Sequence, residues 1–257
     1  KTNGKLTLYM GLGSFVIMIA YVTLFPTIAN QNMDQLLKSM PEGVLKAFNL
    51  SDGMGTLNGF LNAEFYSMIY LILLIVYSVS TATHLVARLV DRGSMAYLLA
   101  TPNSRLRIIF TQILFLFTGL LFISVCIVLG GWISDTWLID KSMLDINIFL
   151  KINLIGFLTF AVISAYSFLF SCLFNDEKRA VSISAGLTII FLILDVVSRV
   201  SEKLDWLRNF TIFHAFDPAK ISDGTADVFS LSIGLAVSAL VLLIGAMFVF
   251  KRKDLPV

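Results

Sequence analysis

The residues best suited to chemistry lie between His84 and Arg107, in HLVARLVDRGSMAYLLATPNSRLR. Arg88, Asp91 and Arg92 cluster there, while Leu85, Leu89, Met95, Leu98 and Leu99 recur at steps of roughly three to four residues. That spacing predicts a short helix with a charged face and an apolar one. Guanidinium and carboxylate groups beside a row of Met and Leu are equipped for docking rather than for making bonds. Arg88, Arg92, Arg105 and Arg107 face the single acid Asp91, a bias expected on the cytoplasmic side of a membrane. Thr101-Pro102 reads as the N-cap and first residue of the next helix. A second pair, Asp195 and Arg199, is spaced to meet on one helix face. It reads as a structural ion pair near the outer surface, with a substrate or gating contact as the alternative.

Long apolar runs position these residues. Phe65 to Thr83 and Ile108 to Gly131 carry no charged residue, and each is close to the roughly 20 apolar residues that cross a bilayer as a helix. Of the 257 residues, 57% are hydrophobic and 14% charged, with a mean hydropathy of +0.86; soluble domains carry about 25% charged residues. The chain is therefore expected to be an all-α integral membrane protein, one domain over 1–257, with six transmembrane helices near 6–29, 65–86, 106–131, 152–174, 180–197 and 228–250. No interval is long enough for a separate soluble domain. The chain opens on Lys1 without a cleavable signal ahead of the first span, which reads as a start after a trimmed leader.

The loops alternate in character. Residues 30–63, with the amphipathic MDQLLKSMPEGVLKAF around Pro41, and the loop carrying Asp135, Asp140 and Asp145 read as external, with Trp132 and Trp137 at interfacial positions. The stretch from Ser198 to Gly224 alternates charge with aromatics, which predicts short helices lying in the outer interface. Asn175 to Arg179 reads as a tight inner turn. The inner segments hold most of the 19 Lys and Arg, against only Asp91, Asp176, Glu177 and Asp254, so both termini are expected to be cytoplasmic. Gly234 and Ser238 form a small-xxx-small step read as packing inside the bundle. Phe110, Phe115, Phe117 and Phe122 read as apolar filler, and Cys126 and Cys172 as buried thiols.

Several function classes are excluded by what the spans lack. Their ionisable residues, Glu64, His84, Asp195 and Arg199, stand only at span ends, whereas ion-coupled carriers place Asp, Glu or His at mid-depth. The prolines, Pro26, Pro41, Pro102, Pro218 and Pro256, lie at span ends or in loops, so no span reads as interrupted. An intramembrane protease needs a Ser-His pair or paired Asp at depth, and neither His84 nor His214 is so placed. A channel needs a polar lining that these spans hardly offer. The glycines of SDGMGTLNG, Gly53, Gly55 and Gly59, lack the Lys and Ser/Thr of a Walker A loop. The chain is not expected to be an enzyme, nor to bind a cofactor, metal or nucleic acid. Uphill transport would need energy from a partner docked on the inner side, and the Arg88 to Thr101 segment is the substantial candidate for that contact.

Val90 to Arg105, VDRGSMAYLLATPNSR, resembles the stretch after the second span of ABC-2 type exporter permeases, although Ala96 stands where that family commonly has an acid. Trp206 to Phe210 with Phe213 to Pro218 resembles the family's last outer loop, and Phe250 to Asp254 its tail. The resemblance implies a half-transporter in the bacterial plasma membrane, surrounded by lipid. It would pair with a second copy or a paralogous permease and carry two cytoplasmic ATPase subunits, which bind ATP and Mg. The segment between the second and third spans would be a coupling helix. Arg88, Asp91 and Arg92 would pair with ATPase charges, and Met95, Leu98 and Leu99 would fill an apolar groove. Small permeases of this kind resemble exporters of antimicrobial or cytolytic peptides, including the phenol-soluble modulin exporter. A sensor, immunity or scaffold subunit using the same ATPase contact is the alternative.

Overall fold

Apolar runs of this length must form helices in a bilayer, because only a helix satisfies its backbone hydrogen bonds within one segment. The computed structural model describes residues 2–29, 56–139, 142–200 and 202–253. The amphipathic stretch around Pro41, Gly53, Gly55, Asp140 and Pro256 lie outside the described residues. Among the described residues, six helices are long and apolar enough to cross a membrane. The first is α1, Thr2–Ala29. The second begins with α2, Leu57–Phe60, passes through a π-helix, Leu61–Ile69, and continues as α3, Tyr70–Leu85. Two short helices follow, α4 (Ala87–Asp91) and α5 (Met95–Leu99). The remaining spans are α6 (Arg105–Trp137), α7 (Ile146–Leu173), α8 (Glu177–Val200) and α10 (Val228–Arg252). Between α8 and α10 lie two 3-10 helices, Glu202–Phe210 and Ile212–Ala215, and the short helix α9, Pro218–Ser222.

Helix starts are set by short polar side chains that accept otherwise orphaned N–H groups. Asp145 caps α7, accepting from the N–H groups of Asn147 and Ile148; Asp217 caps α9, with Pro218 at its first turn; Asp227 caps α10. The cap of α6 is Ser104, whose hydroxyl accepts from the Arg107 N–H, and not Thr101 as the Thr-Pro dipeptide suggests. Thr101 instead donates to the Leu98 carbonyl, closing off α5.

The core forms around α7, which touches α3, α6, α8 and α10, while α1 lies along α6. In the apolar windows of the second and fourth spans 56% of residues are buried, against 22% in the fifth and sixth, so the former are central and the latter peripheral. Bulky rings seat on glycines here. A methyl at Gly156 would overlap the Tyr70 hydroxyl, and one at Gly131 would meet the Phe149 ring. Without a hydrophobic drive between helices in lipid, such close approach supplies the packing energy. The interior also carries more polarity than the sequence suggests: Thr159, Ser164, Ser167 and Ser171 of α7 are all buried, and the Asn153 amide donates to Tyr66 Oη at 2.7 Å.

Asn3 meets His84 at one end of the bundle, where Lys253 also meets Phe174, so the first and last spans both have their free ends there. Two expectations change. Asp135 belongs to the last turns of α6, buried, and its carboxylate accepts from the N–H groups of Met143 and Leu144 and from the Ser142 hydroxyl. It anchors the loop instead of lying in it. Gly234 and Ser238 lie on the exposed side of α10 with nothing near Gly234, so they do not pack inside the bundle. Phe110 points outward, Phe122 is partly exposed with its ring against Gly11 of α1, and Phe115 and Phe117 pack against the core. Cys126 and Cys172 are buried free thiols.

Candidate functional site

The segment joining the second and third spans is two helices, not one. Gly93, with φ of 68°, turns the chain between α4 and α5, a conformation that glycine adopts without steric cost. The turn is closed by the Gly93 N–H donating to the Val90 carbonyl at 2.9 Å and by the Ser94 hydroxyl donating to the Leu89 carbonyl at 3.1 Å. Behind it, the Ala87 N–H donates to Ser171 Oγ at 2.8 Å, tying α4 to α7.

This turn rephases the apolar stripe. Met95 is buried, with 3% of its surface exposed, and belongs to the core instead of an outward groove-filling face. Leu98 and Leu99 are half-buried against the same core. Arg88 is also turned inward: its Nε lies 3.8 Å from Glu177 Oε2 and its Nη1 3.2 Å from His84 Nε2. His84 Nε2 is 3.3 Å from Glu177 Oε1. Asp91, exposed, accepts from the Glu177 N–H at 3.5 Å, a long contact. The open surface is Asp91, Arg92, Gly93, Ala100 and Tyr97, the last 80% exposed. Tyr97 is the residue that periodicity overlooked; the Arg92-Gly93 dipeptide was the signal that the register would break before it. Close by, Lys253 Nζ donates to the carbonyls of Cys172 and Phe174, and Arg105 donates to the Lys253 carbonyl. Burial lowers the Lys253 pKa.

At the other end of the bundle, Asp195 and Arg199 meet as their spacing predicts, Nε to Oδ2 at 2.9 Å. They are part of a larger network. Arg199 Nη1 lies 3.9 Å from Asp217 Oδ2, which also accepts from Arg208 Nη2 at 2.7 Å. These side chains are only 7% to 12% exposed. Burial alone would raise the Asp217 pKa; the Arg199 charge, with the Arg208 hydrogen bond and charge, outweighs it and holds the carboxyl below its ordinary value. The Thr211 hydroxyl donates to the Phe191 carbonyl at 2.8 Å, adding a further tie to α8. A cavity of about 50 Å³ opens beside Tyr66, Phe213, Phe216 and Asp195, enough for a few waters; among the described residues Asp195 Oδ1 has no hydrogen-bond partner. Among the described residues no group of three or more His, Cys, Asp and Glu could hold a metal ion.

Six apolar helices around a hydrophobic core that also buries several hydroxyl side chains, with a short exposed segment at one end and a charged cap at the other, define a multi-pass membrane protein. The family model described as ABC-2 family transporter protein matches residues 6–255, nearly the whole chain, and the chain belongs to that family. No curated protein and no solved structure is significantly similar to it. The family is a transmembrane component without a nucleotide-binding domain of its own, so membership implies an ABC ATPase partner and dimeric assembly.

Proposed function

We propose that the chain is the permease subunit of an ATP-driven exporter, and that α4 and α5 form the surface on which the ATPase subunit docks. One observation carries this reading: the turn between the second and third spans exposes Asp91, Arg92 and Tyr97 while hydrogen bonds and buried side chains fasten it to the bundle from behind. A surface that must receive a push needs rigid backing. An exposed aromatic beside an arginine is the usual composition of an energetic centre in an interface. The ATP and Mg would be held by two ATPase subunits, one beneath each of two permease copies. Closure of those subunits on nucleotide would move α4 and α5 and swing the bundle between its two openings.

The basic end is then cytoplasmic, in a bacterial plasma membrane, with lipid against outward residues such as Phe229 and Ile244. The cargo is hydrophobic or amphipathic, a cytolytic or antimicrobial peptide being the class that suits apolar spans with an aromatic, charged outer cap. Purification in mild detergent tests the docking surface. The wild-type chain should bring down a soluble ATPase, and Tyr97→Ala combined with Arg92→Glu should reduce its recovery by tenfold or more, since a hot-spot residue contributes about 2 kcal/mol or more. Undiminished recovery would reject the assignment.

A further inference from the structure

We propose that α8 is the rod that carries movement from the inner contact segment to the outer charged cap, with Glu177 and Asp195 as positioning residues at its two ends. This rests on the reading that α4 and α5 receive the ATPase. The helix is 24 residues long, about 36 Å at 1.5 Å per residue, so it spans the bundle.

Its inner end is gripped by side chains. Glu177, in its first turn, receives His84 at 3.3 Å and Arg88 at 3.8 Å, both from the junction of α3 with α4, and its N–H points to Asp91. Its outer end is gripped likewise. Arg199, held by Asp195 one turn before it, reaches Asp217, and Asp217 holds Arg208 of the first 3-10 helix, while Thr211 bonds the Phe191 carbonyl.

Between the grips the fully buried side chains of the helix are mostly small. Its buried residues are Ala180, Ser184, Thr188, Asp195 and Ser198; Leu187, Phe191 and Leu192 are only partly buried. Interdigitated bulky side chains lock one helix against another, and the fully buried positions of this face carry mostly small and hydroxyl groups, with Thr188 hydrogen-bonded to the Tyr166 hydroxyl and the Phe191 ring edge-to-face with Tyr166 at 6.5 Å. A helix held at both ends by ion pairs, and along its flank mainly by small and hydroxyl side chains with Phe191 edge-to-face on Tyr166 as the one ring contact with α7 among the described residues, is built for shear. By contrast, α7 buries Phe149, Phe160, Tyr166 and Phe168 and serves as the fixed post against which α8 slides.

Hydrogen exchange on the purified full chain tests the rod without any partner. Glu177→Gln should raise amide exchange in α4 and also, about fivefold, in the 203–217 cap at the far end of the helix. Arg208→Gln, mutated at the cap, should reciprocally raise exchange across Ala87–Asp91. Exchange within α7 and α10 should stay at the wild-type rate in both variants. A change confined to the mutated end overturns the proposal, as does a uniform rise that includes α7 and α10, because that is loss of the fold and not coupled motion. With the copurified ATPase trapped by ATP and vanadate, exchange in 203–217 should change in wild type and not in Glu177→Gln, while ATPase recovery stays equal. Loss of recovery in wild type would sink the docking reading alone, leaving the exchange measurement to decide the rod.

Discussion

Asp217 does three things at once: it caps α9, receives Arg208 at 2.7 Å and lies 3.9 Å from Arg199. Its folded-state pKa lies below the ordinary 3.8, so its contribution to stability is complete above that value and is lost as pH falls through it toward the lower folded value. Thermal unfolding of the detergent-purified chain should show an acid loss below about pH 4, and Asp217→Asn should shrink that acid loss while lowering the midpoint at neutral pH. Removing one partner of a buried pair costs about 3–5 kcal/mol. At Gly156 an added methyl would meet the Tyr70 hydroxyl. Overpacking of this kind costs about 1–3 kcal/mol. Among the described residues Tyr70 Oη has no hydrogen-bond partner, so Tyr70→Phe should be tolerated by itself and, by removing the closest overlap while the ring carbons stay in tight contact, should restore part of the stability lost in Gly156→Ala. An additive double variant would show that the contact is not the cause.

At the scale of elements, α4 and α5 separate what the sequence reveals from what it hides. The charge-free runs before and after them mark the second and third spans without ambiguity, and the turn-forming Gly93 is visible to anyone reading Arg92-Gly93. What could not be read is which of Met95, Leu98 and Leu99 faces outward. A break of one turn shifts the phase of everything after it, and in this chain the phase cannot be recovered from composition, because lipid and bundle interior favour the same side chains. The same degeneracy hid the outward face of Gly234 and the inward one of Phe115. Polar residues escaped it: the spacing of Asp195 and Arg199 told of their contact, though Arg208 and Asp217, far along the chain, gave no such clue. Leu98→Asp and Leu99→Asp should lower the thermal midpoint as well as ATPase recovery, whereas Tyr97→Ala should lower recovery with an unchanged midpoint; equal midpoints across all three would mean the leucines are not part of the core.

The whole molecule is a buried centre with two flanks that face largely outward. The second and fourth spans interlock through Tyr70 and Gly156, while α8 and α10 turn most of their surface outward. Family membership implies a dimer and an ATPase partner, and the proposed assembly has two copies of each; mass measurement of the detergent-solubilised complex should give that stoichiometry, and a one-to-one particle at saturating protein would contradict it. The π-helix Leu61–Ile69 is the feature of this body with the longest reach. Its wider coil takes up more residues per turn than the α-helix that follows, so it acts as a splice. Deleting one residue there would let the coil tighten to the ordinary pitch while Tyr70–Leu85 kept its bearing. The same deletion inside α3 would rotate Tyr77 and everything below it away from its seat. Tolerance of changes in chain length should therefore be concentrated in that short window, and a deletion scan along the second span would map it.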